Sequence, residues 1–406
     1  MARESATVEP AGRRGWLTPN VRVLSGVSFL QDAASELLSP ILPIFLTVTL
    51  GAPAAVVGVV EGVAEGVASV TKVLSGRAAD RTAKRPLIAA GYGLAAVGKL
   101  ILAVAGTWPM VLVARSVDRL GKGIRGAPRD ALLLVGADPA HRGKIFGVHR
   151  AMDTLGAVVG PAVGLLLYEL LGHRIRPLLI IAVIPAVISV ALVRAVREDR
   201  TATTPSVNPV KAAASPIPKR LRSLIAVLTV FSLVNFPDAL LLLRAHDLGL
   251  STGNVIAAHI AYNLFYALLA YPAGALSDRI AKHLVFAAGL VFFAVGYLGL
   301  GLVSSPGWVF VLLPLYGGFA AATDGVGKAW IAGLAPPGQQ GATQGLYQGL
   351  TGGAVLIAGV WAGLAWGEAG RVPLLISGGV SVALAAALLI GGHRLTPRPS
   401  RHTQPD

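Results

Sequence analysis

Twelve stretches of mostly apolar residues, each about 20 residues or longer, succeed one another along this 406-residue chain and dominate what it can become. They lie near 21–49, 54–75, 87–106, 109–131, 144–168, 177–196, 223–245, 252–273, 284–303, 308–334, 344–366 and 372–392. About 20 apolar residues in a helix match the hydrocarbon thickness of a bilayer. Gly- and Pro-marked breaks such as Gly51-Ala-Pro53 and Ser305-Pro306-Gly307 separate them. Charged residues make up only 14% of the chain and mean hydropathy is +0.67, both unsuited to a soluble domain of this size. The abundant glycine, which weakens helices in water, permits close helix packing in lipid.

The 20 acidic residues are far outnumbered by 35 Lys and Arg, a net charge of +15. Such an excess can signal nucleic-acid binding, but no basic stripe interleaved with aromatics is present. The basic residues cluster instead in alternate loops. Arg13, Arg14, Arg77, Arg81, Lys84, Arg85, Arg142, Lys144, Arg197, Arg200, Lys211, Lys219, Arg220, Arg279, Lys282, Arg394 and Arg398 fall on one side, and Arg174, Arg176 and Arg371 on the other. That asymmetry predicts cytoplasmic termini and an even number of spans. No partner nucleic acid is expected. The first apolar stretch is too long for a cleaved signal peptide and reads as a retained span. With no cysteine, disulfides, thiolate metal sites and cysteine nucleophiles are excluded.

Residues 197–222 form the longest polar break, and Thr201 to Pro218 has the composition of a flexible linker. The predicted organisation is a cytoplasmic tail (1–20), a six-helix bundle (21–196), a cytoplasmic linker (197–222), a second six-helix bundle (223–392) and a cytoplasmic tail (393–406). The halves echo each other. Gly76-Arg-Ala-Ala-Asp80-Arg81 follows the second span as Gly274-Ala-Leu-Ser-Asp278-Arg279 follows the eighth. Asp118 and Lys122 in the fourth span match Asp324 and Lys328 in the tenth, and Gly143 and Gly147 match Gly341 and Gly345. A duplicated half directs the binding site to the midplane between the copies.

These residues also carry a family resemblance. The run from Gly76 through Asp80, Arg81 and Arg85 resembles the loop 2–3 motif of the major facilitator superfamily, with Ala78 and Ala83 where Leu and Gly are common. Arg119-Leu-Gly-Lys122-Gly123-Ile-Arg-Gly126 resembles its fourth-helix motif. Gly156, Gly160, Pro161 and Gly164 are similar to the fifth-helix motif typical of antiporters. The stretch Asp118 to Leu132 looks like a prokaryotic branch of the superfamily. The resemblance implies an all-α fold of twelve transmembrane helices in two pseudo-symmetric bundles, alternating access, and a monomeric multi-pass protein of the cell (inner or plasma) membrane. It also implies that an Asp at position 80 latches the cytoplasmic side by pairing with Arg and with helix ends of the other half, with Arg81, Arg85, Asp278 and Arg279 in the same gating loops.

A charge at a bilayer centre costs at least ~2.5–3.5 kcal/mol, so embedded charges are expected to face the interior and to serve function. The first span carries Asp32 and Glu36, the second Glu61 and Glu65, the fourth Arg115, Asp118, Arg119, Lys122 and Arg125, the seventh Asp238 and Arg244, the eighth His259, and the tenth Asp324 and Lys328. The third has only Lys99, and the sixth, ninth and twelfth have none in their interiors. In the family, helices 3, 6, 9 and 12 form the outer scaffold, which this distribution fits. Asp118/Lys122 and Asp324/Lys328 have i,i+4 spacing on one helix face. Asp32/Glu36 and Glu61/Glu65 are like-charge pairs of the same spacing, and two close desolvated carboxylates favour proton uptake. The alternative is that each acid pairs with Arg115, Arg119 or Lys122 across the cavity. His259 matches Glu61 in the other half and either relays protons or is an interior hydrogen-bonded residue. Proton coupling is therefore assigned to Asp32, Glu36, Glu61, Glu65 and His259. The solute cavity is assigned to Arg115, Asp118, Arg119, Lys122, Asn235, Asp238, Asn263, Asp324 and Lys328.

Other classes fit less well. Asp324-Gly-Val-Gly-Lys328-Ala329 lacks the first glycine and the Ser or Thr of a nucleotide loop, and no zinc or nucleophile-elbow pattern of a membrane enzyme occurs. No metal and no cofactor is expected. Matched halves favour a carrier over a channel. The expected partners are a small organic solute, protons and the lipid bilayer. The expected activity is proton-coupled efflux, or alternatively import of an organic anion with protons.

Overall fold

The computed structural model describes residues 16–39, 41–42, 45–52, 54–198, 217–367 and 369–395. Most of both tails, most of the linker, and with them Arg13, Arg14, Pro53, Arg200, Lys211 and Arg398, lie outside the described residues. Within them every regular element is helical: α1 (Pro19–Glu36), α2 (Ala54–Arg81), α3 (Lys84–Ala103), α4 (Trp108–Leu133), α5 (Arg142–Leu170), α6 (Ile175–Ile181), α7 (Val183–Leu192), α8 (Lys219–Ser232), α9 (Asp238–Asp247), α10 (Thr252–Arg279), α11 (Lys282–Leu302), α12 (Val309–Leu334), α13 (Gln340–Leu364) and α14 (Arg371–Gly391), with short 3₁₀ and π turns between them.

Seven of the described helical segments are long and apolar enough to cross a membrane: Lys84–Ala103, Pro139–Leu170, Ile175–Ala195, Gly253–Arg279, Lys282–Leu302, Pro306–Leu334 and Arg371–Leu395. Four of the five other expected spans fall short for identifiable reasons. α2 carries Glu61, Glu65 and Lys72, and α4 carries five charges between Arg115 and Arg125. The first expected span, 21–49, is not one helix: α1 ends at Glu36 and a π-helical turn covers Phe45–Thr49. The seventh, 223–245, is broken between α8 and α9, because Pro237 cannot donate a backbone hydrogen bond. Aromatic donors satisfy carbonyls freed at that break: Trp361 Nε1 donates to Leu233 O at 2.7 Å and the Tyr297 hydroxyl to Phe236 O at 3.2 Å. Pro185 explains the similar break between α6 and α7, since it has no N–H for the carbonyl of Ile181.

Helix ends follow their sequence. Thr18 caps α1 by accepting from Val21 N, with Pro19 at the first helical position. Glu198 caps α3, accepting from the amides of Lys84 at 2.8 Å and Arg85 at 2.9 Å.

The packing repeats along the chain. α1 packs on α5 as α8 packs on α13; α2 on α4 as α10 on α12; α3 on α4 and α7 as α11 on α12 and α14. Across the two sets, α2 packs on α13 as α5 packs on α10. Large apolar side chains such as Leu364, Ile390, Leu170 and Leu302, 86%, 79%, 72% and 69% exposed, face outward, where lipid rather than water is the compatible solvent.

Candidate functional site

The polar interior is built by glycines that bring helices within backbone contact. A Cβ on Gly121 would strike the Gly91 carbonyl of α3, and one on Gly123 would meet Ala68 O of α2 at 2.9 Å. With its two neighbours turned to α3 and α2, Lys122 projects between them. Nearby, Arg115 grips the Glu61 carboxylate with two guanidinium nitrogens, at 3.0 Å (Nε) and 2.9 Å (Nη2). Arg119 lies 3.8 Å from Glu61 and 4.0 Å from Glu65, and Lys72 lies 3.6 Å from Glu65. Glu61 and Glu65 are thus both cation-paired, the arrangement in which acids and bases meet across the interior. Lys122 has no ion pair within 4.0 Å among the described residues, and its side chain is solvent-accessible. Glu36, the last residue of α1, contributes only longer-range attraction to Arg119.

Two of the expected pairings are replaced. Asp118 does not pair with Lys122; its carboxylate takes Lys99 Nζ of α3 at 2.9 Å, and both are buried. Lys328 does not pair with Asp324; it reaches Asp130 of α4 at 2.7 Å, where Arg129 also lies at 3.2 Å and the Gln348 amide donates at 3.0 Å. Asp324 takes Arg150 of α5 at 3.0 Å and the Tyr266 hydroxyl, while Arg150 also holds Asp153 at 2.6 Å. Asp32 lies against α5, where a Cβ on Gly156 would come within 3.1 Å of its own Cβ. Same-helix i,i+4 pairs contribute only ~0.2–0.5 kcal/mol, so in a desolvated interior a better-aligned partner on another helix wins.

The wall formed by α8 to α12 is aromatic. Tyr316 donates to Asp238 at 2.9 Å and lies 3.5 Å from Asn235. Tyr262 stacks on Tyr316 at 5.4 Å between ring centroids, and His259 stacks on Tyr262 at 5.6 Å. Asn263 is buried and lies 3.1 Å from His259 Nε2. His259 therefore sits in a hydrogen-bonded aromatic cluster with its Nδ1 buried and unpartnered. Arg244, which is fully buried, satisfies the carbonyls of Leu300 and Val303 at 2.9 Å each.

At the end carrying the basic loops, the two sets of helices close on each other. Asp80 accepts from the amides of Gly341 and Ala342 at the start of α13, both at 2.7 Å. Asp278 accepts from Gly143 and Lys144 at the start of α5, at 2.7 and 2.8 Å. Each carboxylate thus meets the positive end of a helix dipole and two otherwise unsatisfied N–H groups. No arginine pairs with Asp80 among the described residues; Arg81 and Arg279 are exposed, and Arg85 binds the Arg194 carbonyl at 2.7 Å. Gly76 lies against Gly345, Gly349 against Val73, and Gly352 against Ser69, whereas a Cβ on Gly66 or Gly62 would meet nothing within 4 Å. The α2–α13 seam is closed at the basic end and open at the other.

The fifth-helix glycines pack on α1. A Cβ on Gly156 would meet Phe29 O at 2.6 Å, one on Gly160 Ala33 O at 2.6 Å, and one on Gly164 Leu37 O at 2.9 Å. α5 runs unbroken through Pro161. Six interior charges on which this network depends, Lys72, Lys99, Arg129, Asp130, Arg150 and Asp153, were not among the expected site residues. Their signal was available: Arg150 and Asp153 are an i,i+3 opposite pair inside an apolar helix.

The sequence and the fold match known proteins. The profile of the Major Facilitator Superfamily matches residues 24–243 and 223–406. An MFS-type transporter of Methanocaldococcus jannaschii is 31% identical over 383 residues, covering 92% of this chain and 94% of the relative. The multidrug resistance protein MdtH of Photorhabdus laumondii is 32% identical over 126 residues, 31% of each chain. FucP, the E. coli fucose:proton symporter, solved in its outward conformation, superposes with a TM-score of 0.74 at 14% identity, covering 94% of this chain and 100% of that one. The chain is a multi-pass membrane protein that belongs to the major facilitator superfamily of transporters.

Proposed function

We propose that this protein is a proton-coupled secondary transporter that exports a small organic solute by alternating access between two six-helix halves. In this reading it is a monomer of the cell membrane with twelve spans and cytoplasmic termini. The observation that carries it is the asymmetry of the interior. Charges and tyrosines gather between the halves, the basic-loop end is latched by Asp80 and Asp278, and the α2–α13 seam is open at the opposite end. A latch made of four charge-assisted hydrogen bonds to helix ends is strong enough to hold a state and weak enough to release, since such transitions span only a few kcal/mol. The solute binds between the Arg119–Lys122 wall of α4 and the Tyr262–Tyr316 wall, with Asn235, Asp238 and Asn263 as polar contacts. Glu61 and Glu65 act as counter-charges, which protons or solute displace from Arg115, Arg119 and Lys72. The similarity to a multidrug resistance protein supports export.

The test is flux in proteoliposomes under an imposed pH gradient, with ethidium and carboxyfluorescein as cationic and anionic probes. Gradient-driven movement of either that is lost in the Glu61→Gln, Glu65→Gln double variant supports the reading. Flux indifferent to the gradient refutes proton coupling. A second reading, import of an organic anion with protons, is favoured by the accessible ammonium of Lys122, which has no carboxylate partner among the described residues. Uptake of carboxyfluorescein down an inward proton gradient, abolished by Lys122→Gln, would select it.

A further inference from the structure

On the outer face of the bundle, α3, α6 and α7 enclose a groove that solute transport does not use. Its floor is Ala103 of α3 and Val183 of α7, both buried. Its walls are Leu100 and Val104 on one side and Ile180, Ile184 and Ile188 on the other, between 45% and 69% exposed. α3 packs on both α6 and α7, and the short side chain of Ala103 leaves a trough where a longer one would fill the contact. The groove encloses about 470 Å³, within the ~300–1,000 Å³ of ordinary ligand sites, and every side chain that lines it is aliphatic. Ile180 to Ile188 is about 12 Å of helix at ~1.5 Å per residue, close to the ~15 Å of hydrocarbon in one leaflet.

A basic side chain stands at one end of this trough. Ile180 lies one helical turn beyond Arg176, and Arg176 Nη2 reaches the carbonyl of Ala105 at 3.4 Å, directly after the Val104 that walls the groove. Arg176 is exposed and has no carboxylate within 4.0 Å among the described residues; the nearby acid, Glu169, lies 3.3 Å from His173. A single contact to a carbonyl leaves most of a five-donor guanidinium available to an anion. The loops at this end are poor in cations, so a general attraction to membranes does not account for one at the mouth of an apolar groove. We propose that the groove binds an anionic glycerophospholipid in the leaflet opposite the basic loops, with one acyl chain in the trough from Ile180 to Ile188 and the phosphate on Arg176. The two parts select differently. The trough accepts any acyl chain, whereas the guanidinium favours a phosphate that no ammonium of the same headgroup neutralises. A second copy of the chain fits less well, because two-fold packing on this face would bring two unpaired guanidinium groups together in a desolvated contact.

The test uses the full-length protein in lipid nanodiscs. Phosphatidylglycerol with a photoreactive diazirine in one acyl chain is compared with phosphatidylcholine carrying the same chain, and the adducts are mapped by peptide mass spectrometry. Phosphatidylglycerol adducts are expected on residues 100–104 and 180–188 at several times their density on the comparably exposed outer face of α14 around Val382 and Leu389. Phosphatidylcholine should label the two faces alike. Arg176→Gln should lower the preference of the groove for phosphatidylglycerol by about 5-fold, and Arg176→Lys should retain most of it. Ala103→Phe fills the trough and should remove the excess of adducts there. Equal phosphatidylglycerol labelling of the groove and of α14 marks ordinary boundary lipid and overturns the proposal. So does a groove that takes phosphatidylcholine as readily as phosphatidylglycerol, or a preference that survives Arg176→Gln. Dimeric particles in which the groove is shielded from both probes assign it to a second copy and overturn the proposal as well. Should Arg176→Gln fail to fold, the lipid preference of the parent protein and its loss in Ala103→Phe decide.

Discussion

Replacing Gly76 with Ala tests whether the closed basic end is one state of an equilibrium. A Cβ at that position would lie 2.5 Å from the Gly341 carbonyl oxygen, 2.8 Å from Gly345 Cα and 3.2 Å from Gly345 N. All three are backbone atoms of α13, so no rotamer change relieves the clash and the two helices must separate. Overpacking of this kind costs about 1–3 kcal/mol, and it is charged only to the state in which α2 touches α13. The open-to-closed ratio at the basic end should therefore rise roughly 5- to 150-fold. The chain has no native cysteine, so a single introduced thiol reports without background. A cysteine at Ser277, buried against Gly143 on the pseudo-symmetric α5–α10 seam, should label faster in Gly76→Ala by that factor. Gly62→Ala is the control, since its Cβ meets nothing within 4 Å in this state. Equal labelling of the parent and Gly76→Ala would refute the reasoning, as would an equal acceleration in Gly62→Ala.

Three further outcomes follow from the same geometry. Gly160→Ala should lower the thermal midpoint in detergent by the equivalent of about 1–3 kcal/mol, because its Cβ meets Ala33 O at 2.6 Å and Leu37 N at 2.9 Å, whereas Gly66→Ala should leave it equal or higher. Lys99→Met leaves Asp118 buried without its 2.9 Å partner and should cost about 3–5 kcal/mol; the double variant Lys99→Met, Asp118→Leu should recover most of that loss, read by thermal unfolding. Asp80→Ala removes both acceptors at the start of α13 and should accelerate Ser277→Cys labelling, whereas Arg81→Ala, at an exposed side chain, should not.

The spacing and composition of the apolar stretches were enough for the membrane and the helical class, and three motifs were enough for the family. In the structure Asp80 and Asp278 each stand on a helix N-terminus of the other set. Helix continuity was less legible. Pro237 breaks the seventh stretch, yet Pro161 and Pro128 lie inside unbroken helices. At the Pro237 break, Trp361 and Tyr297 take over freed carbonyls, and those neighbours are distant in sequence.

The charges divide in the same way. Sequence alone determined that charged side chains would occupy the interior of particular helices, because the hydrocarbon penalises each one wherever the chain carries it. It also determined the glycines at which helices could approach. Which charges meet was decided by the tertiary structure. Asp118 finds Lys99 rather than Lys122, Lys328 finds Asp130, and Asp324 finds Arg150. Helical periodicity specifies only neighbours on one helix, and those solvated pairs contribute little. In a low-dielectric interior the interaction grows steeply as distance falls, so partners are selected by the packing of whole helices, which no single stretch of sequence contains.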